Sequence, residues 1–460
     1  MHIVIVGAGK IGYNLAVQLS KENHNIVIID KNLELLKNTQ NKLDVAVVAG
    51  NGASAEVQKE ASVDEADLLI AVTGSDEVNL LCSMVAHKLG CHSIIARIRN
   101  PEYDRQMKIL DPDFGITFSF NAEKTAANEI FHLLQFPSFV KRDTFAGGRA
   151  DMVELKLLTS SNLVGKKLSQ IGEFLKCKAM ICAVERNGKI EIPSGSFELS
   201  ADDKLVVAAA PKELPKIVRA FGMSTVKIKK VVIVGGSNIA VYLAQLLTEN
   251  KIGVKLIELS PERCRFLTEK LPDVSVICGN GADQQLLIDE NISAADAVVS
   301  LTGVDEENFM ISMFANYLGV PKTITKNNHI EYSDIFKGTG VDTIISPKLL
   351  AANLIVRYVR AAEASANAGG VDALYRILDG KAEALGFTVP ETWKNSDVTL
   401  EQLKFRENTL IALILRDSKV IIPHGTDCLK PGDSIIAVTK PEYVISKVQD
   451  LFLRKEGAER

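Results

Sequence analysis

One glycine-bearing pattern occurs twice in this chain, and it limits the fold more than any other feature. The first copy reads HIVIVGAGKIG and reaches Asp30 at the end of the next apolar run; the second reads VVIVGGSNIA and reaches Glu258. Two further strings keep the register. Gly50-Asn51-Gly52-Ala53 returns at Gly279–Ala282, and TGSDEVN from Thr73 returns as TGVDEEN from Thr302, both 229 residues later. That period is too long for a solenoid repeat. It marks a duplicated unit of domain size, and a duplicated ligand-reading unit fits a nucleotide-reading device better than a one-site enzyme.

The spacing of apolar runs predicts an α/β fold. Ile3–Val6, Ile26–Ile29, Val45–Val48, Leu68–Val72 and Ile94–Ile98 read as strands, with a weaker one near Ile116–Ser119. Near-continuous apolar strands separated by amphipathic stretches imply a parallel sheet covered on both faces. Ile11, Leu15 and Leu19 recur every four residues, one stripe of a helix. The second copy repeats the order at Val231–Val234, Val254–Ile257, Val274–Ile277, Ala297–Leu301 and Thr323–Thr325. Helical stretches follow at Ala122–Gln135 and Lys348–Ala364. Two smaller units also match each other, with an Ile-Pro-x-Gly turn at Ile192–Gly195 and Ile422–Gly425 and strand-opening Asp203 and Asp433. The expected architecture is two Rossmann-like parallel-sheet N lobes (1–121 and 228–347), each followed by a crossover helix (122–140 and 348–366) and a small α+β C lobe (141–224 and 367–455).

The first glycine turn carries the most chemistry. Gly7 permits the tight turn, Gly9 lets backbone approach a pyrophosphate, and Gly12 allows close packing of helix on sheet. The free N–H groups and partial positive charge of the following helix favour phosphates. Asp30 lies 23 residues after Gly7, where a carboxylate accepts from both ribose hydroxyls. It would repel a 2′-phosphate, which favours NAD over NADP. Asn51 and Thr73 with Gly74 stand at the carboxyl ends of later strands, where open α/β sheets bind ligands; Asn51 can meet an adenine edge. Arg97 and Arg99 share a face, as a phosphate partner or as an exposed basic pair. In the second copy Ser237 replaces the middle glycine and puts a side chain where backbone would meet the pyrophosphate. Glu258 keeps the acid, and Lys326 and Asn328 take the places of Arg97 and Arg99. That lobe is open between binding a shorter ligand and being an empty structural domain.

Composition narrows the class. A net charge of −4 gives no general attraction to nucleic acid, and the lysines at 227, 229 and 230 read as a solvated linker. Seven cysteines without a C-x-x-C pair suit free thiols in a reducing compartment. A strand starting at His2 leaves no room for a signal peptide, and no apolar run approaches the ~20 residues of a bilayer span. A cytoplasmic protein is expected. The histidines at 2, 24, 87, 92, 132, 329 and 424 are scattered. Glu129 and His132 have an E-x-x-H spacing without further ligands, so no metal site and no catalytic residue is assigned.

The doubled GAGKIG-type turns, Asp30, GNGA, the ARIRNPEY string from Ala96 and the paired small modules resemble a known family across essentially the whole chain. It is the peripheral subunit of Trk potassium-uptake systems, built from tandem RCK (regulator of potassium conductance) domains with TrkA-N and TrkA-C parts. The resemblance implies a homotetrameric gating ring on the inner face of the cell membrane, attached to a membrane-embedded Trk-type potassium-translocating subunit. It also implies NAD(H) at the first lobe, with ATP or ADP as further ligands, and no nucleic acid. It maps binding onto Gly7, Gly9, Gly12, Asp30, Asn51, Thr73 and Arg97; the intervening Ala8, Lys10, Ile11, Gly52 and Gly74 complete the candidate site. The second candidate set is Gly235, Ser237, Asn238, Ile239, Glu258, Asn280, Thr302 and Lys326. The competing reading is an NAD-dependent oxidoreductase acting on a small molecule; a redox-responsive transcriptional regulator would need a basic helix-turn-helix that the sequence does not offer.

Overall fold

The computed structural model describes residues 1–22, 24–100, 103, 114–135, 139–145, 148–175, 177–223, 228–328, 341–366, 371–417, 419–440, 442, 445 and 447–453. Pro101 and Glu102 of the ARIRNPEY string, Lys227 and His329 lie outside them.

The first N lobe alternates strand and helix: β1 His2–Val6, α1 Lys10–Leu19, β2 Asn25–Asp30, α2 Leu33–Gln40, β3 Ala46–Ala49, α3 Ala55–Glu60, β4 Leu68–Ala71, α4 Asp76–Leu89, β5 Ser93–Arg97, β6 Phe118–Phe120 and α5 Ala122–Gln135. The six strands form one parallel sheet in the order β3-β2-β1-β4-β5-β6. The order reverses between β1 and β4, the switch point at which open sheets leave a crevice. Both sheet faces are covered, so Val4, Ile5, Leu69 and Ile70 are all fully buried, as are Leu15 and Leu19 of the α1 stripe. Each such side chain contributes roughly 2 kcal/mol by leaving water.

The first C lobe contains β7 Phe139–Phe145, β8 Ala150–Lys156, α6 Leu168–Leu175, β9 Ala179–Arg186, β10 Lys189–Glu191, β11 Lys204–Ala209 and α7 Leu214–Ala220. Its antiparallel sheet has the order β10-β9-β11-β8-β7. The second N lobe follows: β12 Lys230–Val234, α8 Asn238–Glu249, β13 Gly253–Glu258, α9 Pro261–Lys270, β14 Ser275–Cys278, α10 Gln284–Asp289, β15 Ala297–Ser300, α11 Asp305–Tyr317, β16 Thr323–Lys326, β17 Thr343–Ile345 and α12 Pro347–Ala366. Its order, β14-β13-β12-β15-β16-β17, copies the first. The sequence pattern did not offer β17. The second C lobe has β18 Val371–Ile377, β19 Ala382–Thr388, β20 Thr409–Arg416, β21 Lys419–Ile421 and β22 Ser434–Thr439, in the order β18-β19-β22-β20-β21.

The four lobes pair by kind. One compact unit joins Met1–Phe131 to Ile228–Val356, and the other joins His132–Lys227 to Arg357–Arg460, so the chain changes unit inside α5 and again inside α12. Within the first unit Gln18 of α1 donates to Asn353 of α12 at 3.2 Å, and Asn121 donates to the Tyr242 hydroxyl at 3.2 Å. Within the second unit the two C lobes share one apolar core, in which Met152, Cys182 and Val206 meet Ile377, Ala412 and Ile436.

The two matched aspartates anchor the C lobes. Asp203 takes a bidentate fork from Arg186 (2.7 and 2.8 Å), and Asp433 takes one from Arg416 (2.8 and 2.7 Å). Each aspartate also accepts a backbone N–H, from Ser200 and from Lys430. Asp433 is 1 % exposed. Arg416→Met leaves that carboxylate buried with one donor, and the expected cost is about 3 kcal/mol, read as a lowered midpoint of urea unfolding.

Candidate functional site

Steric limits at the first glycine turn separate scaffold from ligand face. Gly7 has φ +113°, a region that favours glycine, and a Cβ on it would lie 3.0 Å from the Val72 carbonyl oxygen beyond β4. A Cβ on Gly12 would collide with the Gly7 carbonyl oxygen, and one on Gly52 would collide with Val6. These three glycines let helix, turn and strand touch. Gly9 and Gly74 differ: a Cβ on either would meet nothing within 4 Å. Gly9 is the N-cap of α1, and no side chain caps the helix there. A helix start with no side-chain cap and open space beside it is the kind of terminus that suits an anion.

Asp30 ends β2 and points back at this turn. One carboxylate oxygen accepts from the Ala8 N–H at 2.6 Å and the other from the Asn32 N–H at 2.8 Å. Each oxygen retains lone-pair capacity for a ribose diol. Asn51 is exposed, its side-chain oxygen accepting from the Ala53 N–H at 3.3 Å.

The Thr73 and Arg97 side chains have partners within the lobe. The Thr73 hydroxyl and N–H both donate to the fully buried Asn79 side chain, at 2.7 and 2.8 Å. Asn79 donates in turn to the Arg97 carbonyl at 2.9 Å, tying β4 to β5. Thr73 thus shapes the site through its backbone. Arg97 is half-buried, and its guanidinium pairs with Glu123 at 2.8 Å in the first turn of α5. Burial pulls its pKa down against the opposing pull of Glu123. Arg99 is the more exposed of the pair, and its backbone N–H and side chain both engage Asp76.

The second lobe repeats the frame and alters the face. Glu258 accepts from Gly236 N–H at 2.6 Å and Ser260 N–H at 2.8 Å, the two bonds Asp30 makes. Its extra methylene needs room: a Cβ on Gly236 would sit 2.9 Å from the Glu258 carboxylate, while the first lobe has Ala8 there. Ser237 accepts from Ala240 N–H at 3.4 Å and so caps α8 with its own side chain. Arg263 of α9 lies across the turn, donating to the Gly236 carbonyl at 2.8 Å and to Asn238 at 3.1 Å. Ile239 is buried. Asn280 forms the same turn as Asn51, and the Thr302 N–H donates to Asn308 as the Thr73 N–H does to Asn79, while the Thr302 hydroxyl donates to the Val304 carbonyl.

A charge reversal sits beside these turns. Lys326 and Lys348 occupy the register of Arg97 and Glu123, so an ion pair in one lobe is a like-charge pair in the other. Lys326 is 8 % exposed and donates to the Leu301 carbonyl at 3.3 Å. Burial first, then contact with Lys10 of the first glycine turn, pull Lys348 down to about 8; Asp305 opposes the shift and Lys326 adds to it. The cluster Lys10, Lys326 and Lys348 therefore joins both N lobes.

Asn79, Glu123, Arg263 and Lys348 were not among the sequence candidates. Asn79 and Asn308 close the repeated TGSDEVN and TGVDEEN strings, and that repetition was the available signal. Glu123 and Lys348 carried none, because opposite charges at matched positions read as divergence. No cluster of three or more His, Cys, Asp or Glu suited to a metal occurs among the described residues. No helix among them is long and apolar enough to cross a membrane.

Comparison with known proteins agrees with this geometry. Residues 3–117 and 231–347 match the TrkA-N domain, and 152–222 and 385–453 match the TrkA-C domain. The chain is 31 % identical over 452 residues to a Trk system potassium uptake protein TrkA homolog of Archaeoglobus fulgidus, covering 98 % of this chain and 100 % of that one. It is 32 % identical over 444 residues to a homolog 1 of Methanosarcina mazei, covering 95 % and 96 %. Among solved structures the GsuK RCK domain superposes with TM-score 0.63 at 19 % identity, covering 96 % of this chain and 92 % of that one. The GsuK channel bound to NAD gives 0.63 at 19 %, covering 96 % and 77 %.

Two outcomes test the site's construction. Gly12→Ala is expected to cost about 3 kcal/mol through its backbone collision, whereas Gly9→Ala is expected to change unfolding free energy by less than about 1 kcal/mol, both by denaturant titration. Lys348→Glu replaces repulsion by pairing with Lys326 and Lys10, and a gain of about 1 kcal/mol would raise Tm by about 2–4 °C. Lys348 titrates near 8 when folded against 10.5 when free. Between those values the unfolded chain binds more protons, so wild-type stability rises with pH there and the variant's advantage shrinks.

Proposed function

We propose a function from the family to which this chain belongs: the Trk potassium-uptake proteins with tandem TrkA-N and TrkA-C domains. The chain is a nucleotide-responsive regulatory subunit of a potassium-uptake system, not an oxidoreductase. Its relatives bear transport-system names, and its fold neighbours are channel regulatory domains. Its partner is a membrane-embedded Trk-type potassium-translocating subunit, met as a homotetrameric ring on the cytoplasmic face of the membrane. Lobe boundaries are proposed as read from the sequence.

The observation carrying this reading is the open, uncapped glycine turn of α1 with Asp30 fixed beside it. These features fit NAD(H): α1 amides would hold the pyrophosphate and Asp30 the adenosine ribose. GsuK structures hold NAD and, in another form, ADP; ATP or ADP would meet the same amides here. The second lobe, capped by Ser237 and crossed by Arg263, takes at most a shorter ligand.

When bound, the nucleotide supplies negative charge and nothing chemical. Lys10 and Lys348 stand close enough to repel, and an anion at the α1 turn relieves that repulsion. Lys348 opens α12, which continues into the other unit, and Glu123 opens α5, which does likewise. Occupancy would thus bias both connecting helices at their starts. A ligand shifts an equilibrium only by its difference in affinity between states. Here that difference resides in lysines drawn from two lobes.

Titration calorimetry with NADH, NAD, ADP and ATP tests the ligand, and co-purification with membrane partners, with and without nucleotide, tests the assembly. Asp30→Ala should lose about 1.5–3 kcal/mol of binding, roughly 10- to 100-fold. Failure of the wild-type protein to bind any of the four would sink the regulatory reading, and NADH turnover with a defined substrate would favour the oxidoreductase.

A further inference from the structure

Two cysteines converge on one residue of the second N lobe. Cys278 ends β14 and is the register partner of Glu258 on β13. Cys264, on α9, donates its thiol to the Glu258 carbonyl oxygen at 3.3 Å. Both residues line one open surface pocket. They differ in access: Cys264 is buried and Cys278 is exposed. In the first lobe the matched positions are Leu36, which is buried in the core, and Ala49. The duplicated fold accepts an apolar pair there, so two adjacent sulfurs are not a packing requirement.

We propose that Cys264 and Cys278 form a reversible intramolecular disulfide, with hydroperoxides as the oxidising class. The exposed Cys278 meets the oxidant. Its thiolate attacks one peroxide oxygen, the O–O bond breaks, and the leaving oxygen takes up a proton to give water and Cys278 sulfenic acid. The Cys264 sulfur then attacks the Cys278 sulfur and displaces hydroxide, which takes the Cys264 proton as a second water. Two thiols and one hydrogen peroxide give one disulfide and two waters; both sulfurs are oxidised and both peroxide oxygens reduced. A disulfide needs its sulfurs about 2 Å apart, and rotation of the exposed Cys278 side chain toward Cys264 across the shared pocket is the movement that brings them together.

The bond would pin α9 to the end of β14, directly before the Gly279-Asn280 turn and behind the Glu258 carboxylate. This inference stands apart from the proposed nucleotide function, because the disulfide forms or fails whether or not the lobe holds a ligand. The other thiols provide internal controls. Burial pushes Cys82 and Cys182 up to about 12 and Cys91 and Cys264 up to about 11, so none of these four is the first to meet the peroxide, and Cys264 reacts only with the sulfenic sulfur formed beside it.

The test uses the full chain, titrated with hydrogen peroxide, quenched by alkylation without reductant and read by peptide mass spectrometry. The expected product is a cross-linked pair of peptides carrying Cys264 and Cys278, lacking two hydrogen atoms and released by dithiothreitol. Cys264→Ser should instead leave Cys278 as a sulfenic acid that dimedone traps. The double variant Cys264→Leu, Cys278→Ala copies the first-lobe pair, should keep the wild-type circular dichroism, and should lose the cross-link. The proposal is overturned if wild-type Cys278 accumulates as sulfenic or sulfinic acid, or as an interchain disulfide, while Cys264 remains alkylatable. It is equally overturned if Cys278 resists peroxide at doses that oxidise exposed methionines.

Discussion

The whole arrangement depends on three backbones meeting without side chains between them. At Gly7 the chain turns in a conformation that favours glycine, the end of β4 presses on that turn, and α1 begins close enough for Gly12 to touch the Gly7 carbonyl. That approach brings the start of α1 beside the residues that Asp30 holds. The carboxylate completes the constraint by bonding Ala8 and Asn32 at once, so the acid that would meet a ribose is also what holds the turn.

Duplication then allowed the two N lobes to diverge by coupled steps. Lengthening Asp30 to Glu258 goes with shortening Ala8 to Gly236, since the carboxylate would otherwise meet a methyl group. Opening or closing the helix start goes with Gly9 or Ser237. Exchanging Arg97–Glu123 for Lys326–Lys348 replaces an ion pair by a like-charge pair in the second lobe. Each change is small in volume and large in what the site can attract. The two copies are one frame with two electrostatic settings.

The sequence disclosed the frame because its signals are local. Strands such as His2–Val6 and Leu68–Ala71 are continuous apolar runs, and the glycine and acid positions recur with fixed spacing. The fold class, the tandem order and the residues around Gly7 and Asp30 were therefore legible. Thr73 and Arg97 were identified by position, but their side chains turn inward to Asn79 and Glu123, partners 6 and 26 residues away whose identity no local pattern dictates. The Lys10–Lys348 contact lay further out of reach, because it joins residues whose proximity exists only after the lobes have paired. The same holds for the division into like-with-like units, which follows contacts rather than chain order.

The common core of the C lobes has a consequence for how such a chain can be built. Phe145, Met152 and Val206 are covered largely by residues arriving more than 160 positions later, among them Ile377, Ala412 and Ile436. A half-length ancestor with the same inward sheet face would have needed a second molecule to keep that face from water. Carrying both copies in one chain makes the partnership internal and fixes its arithmetic at one to one. It also freed each half to lose symmetry, which no pair of identical molecules can do.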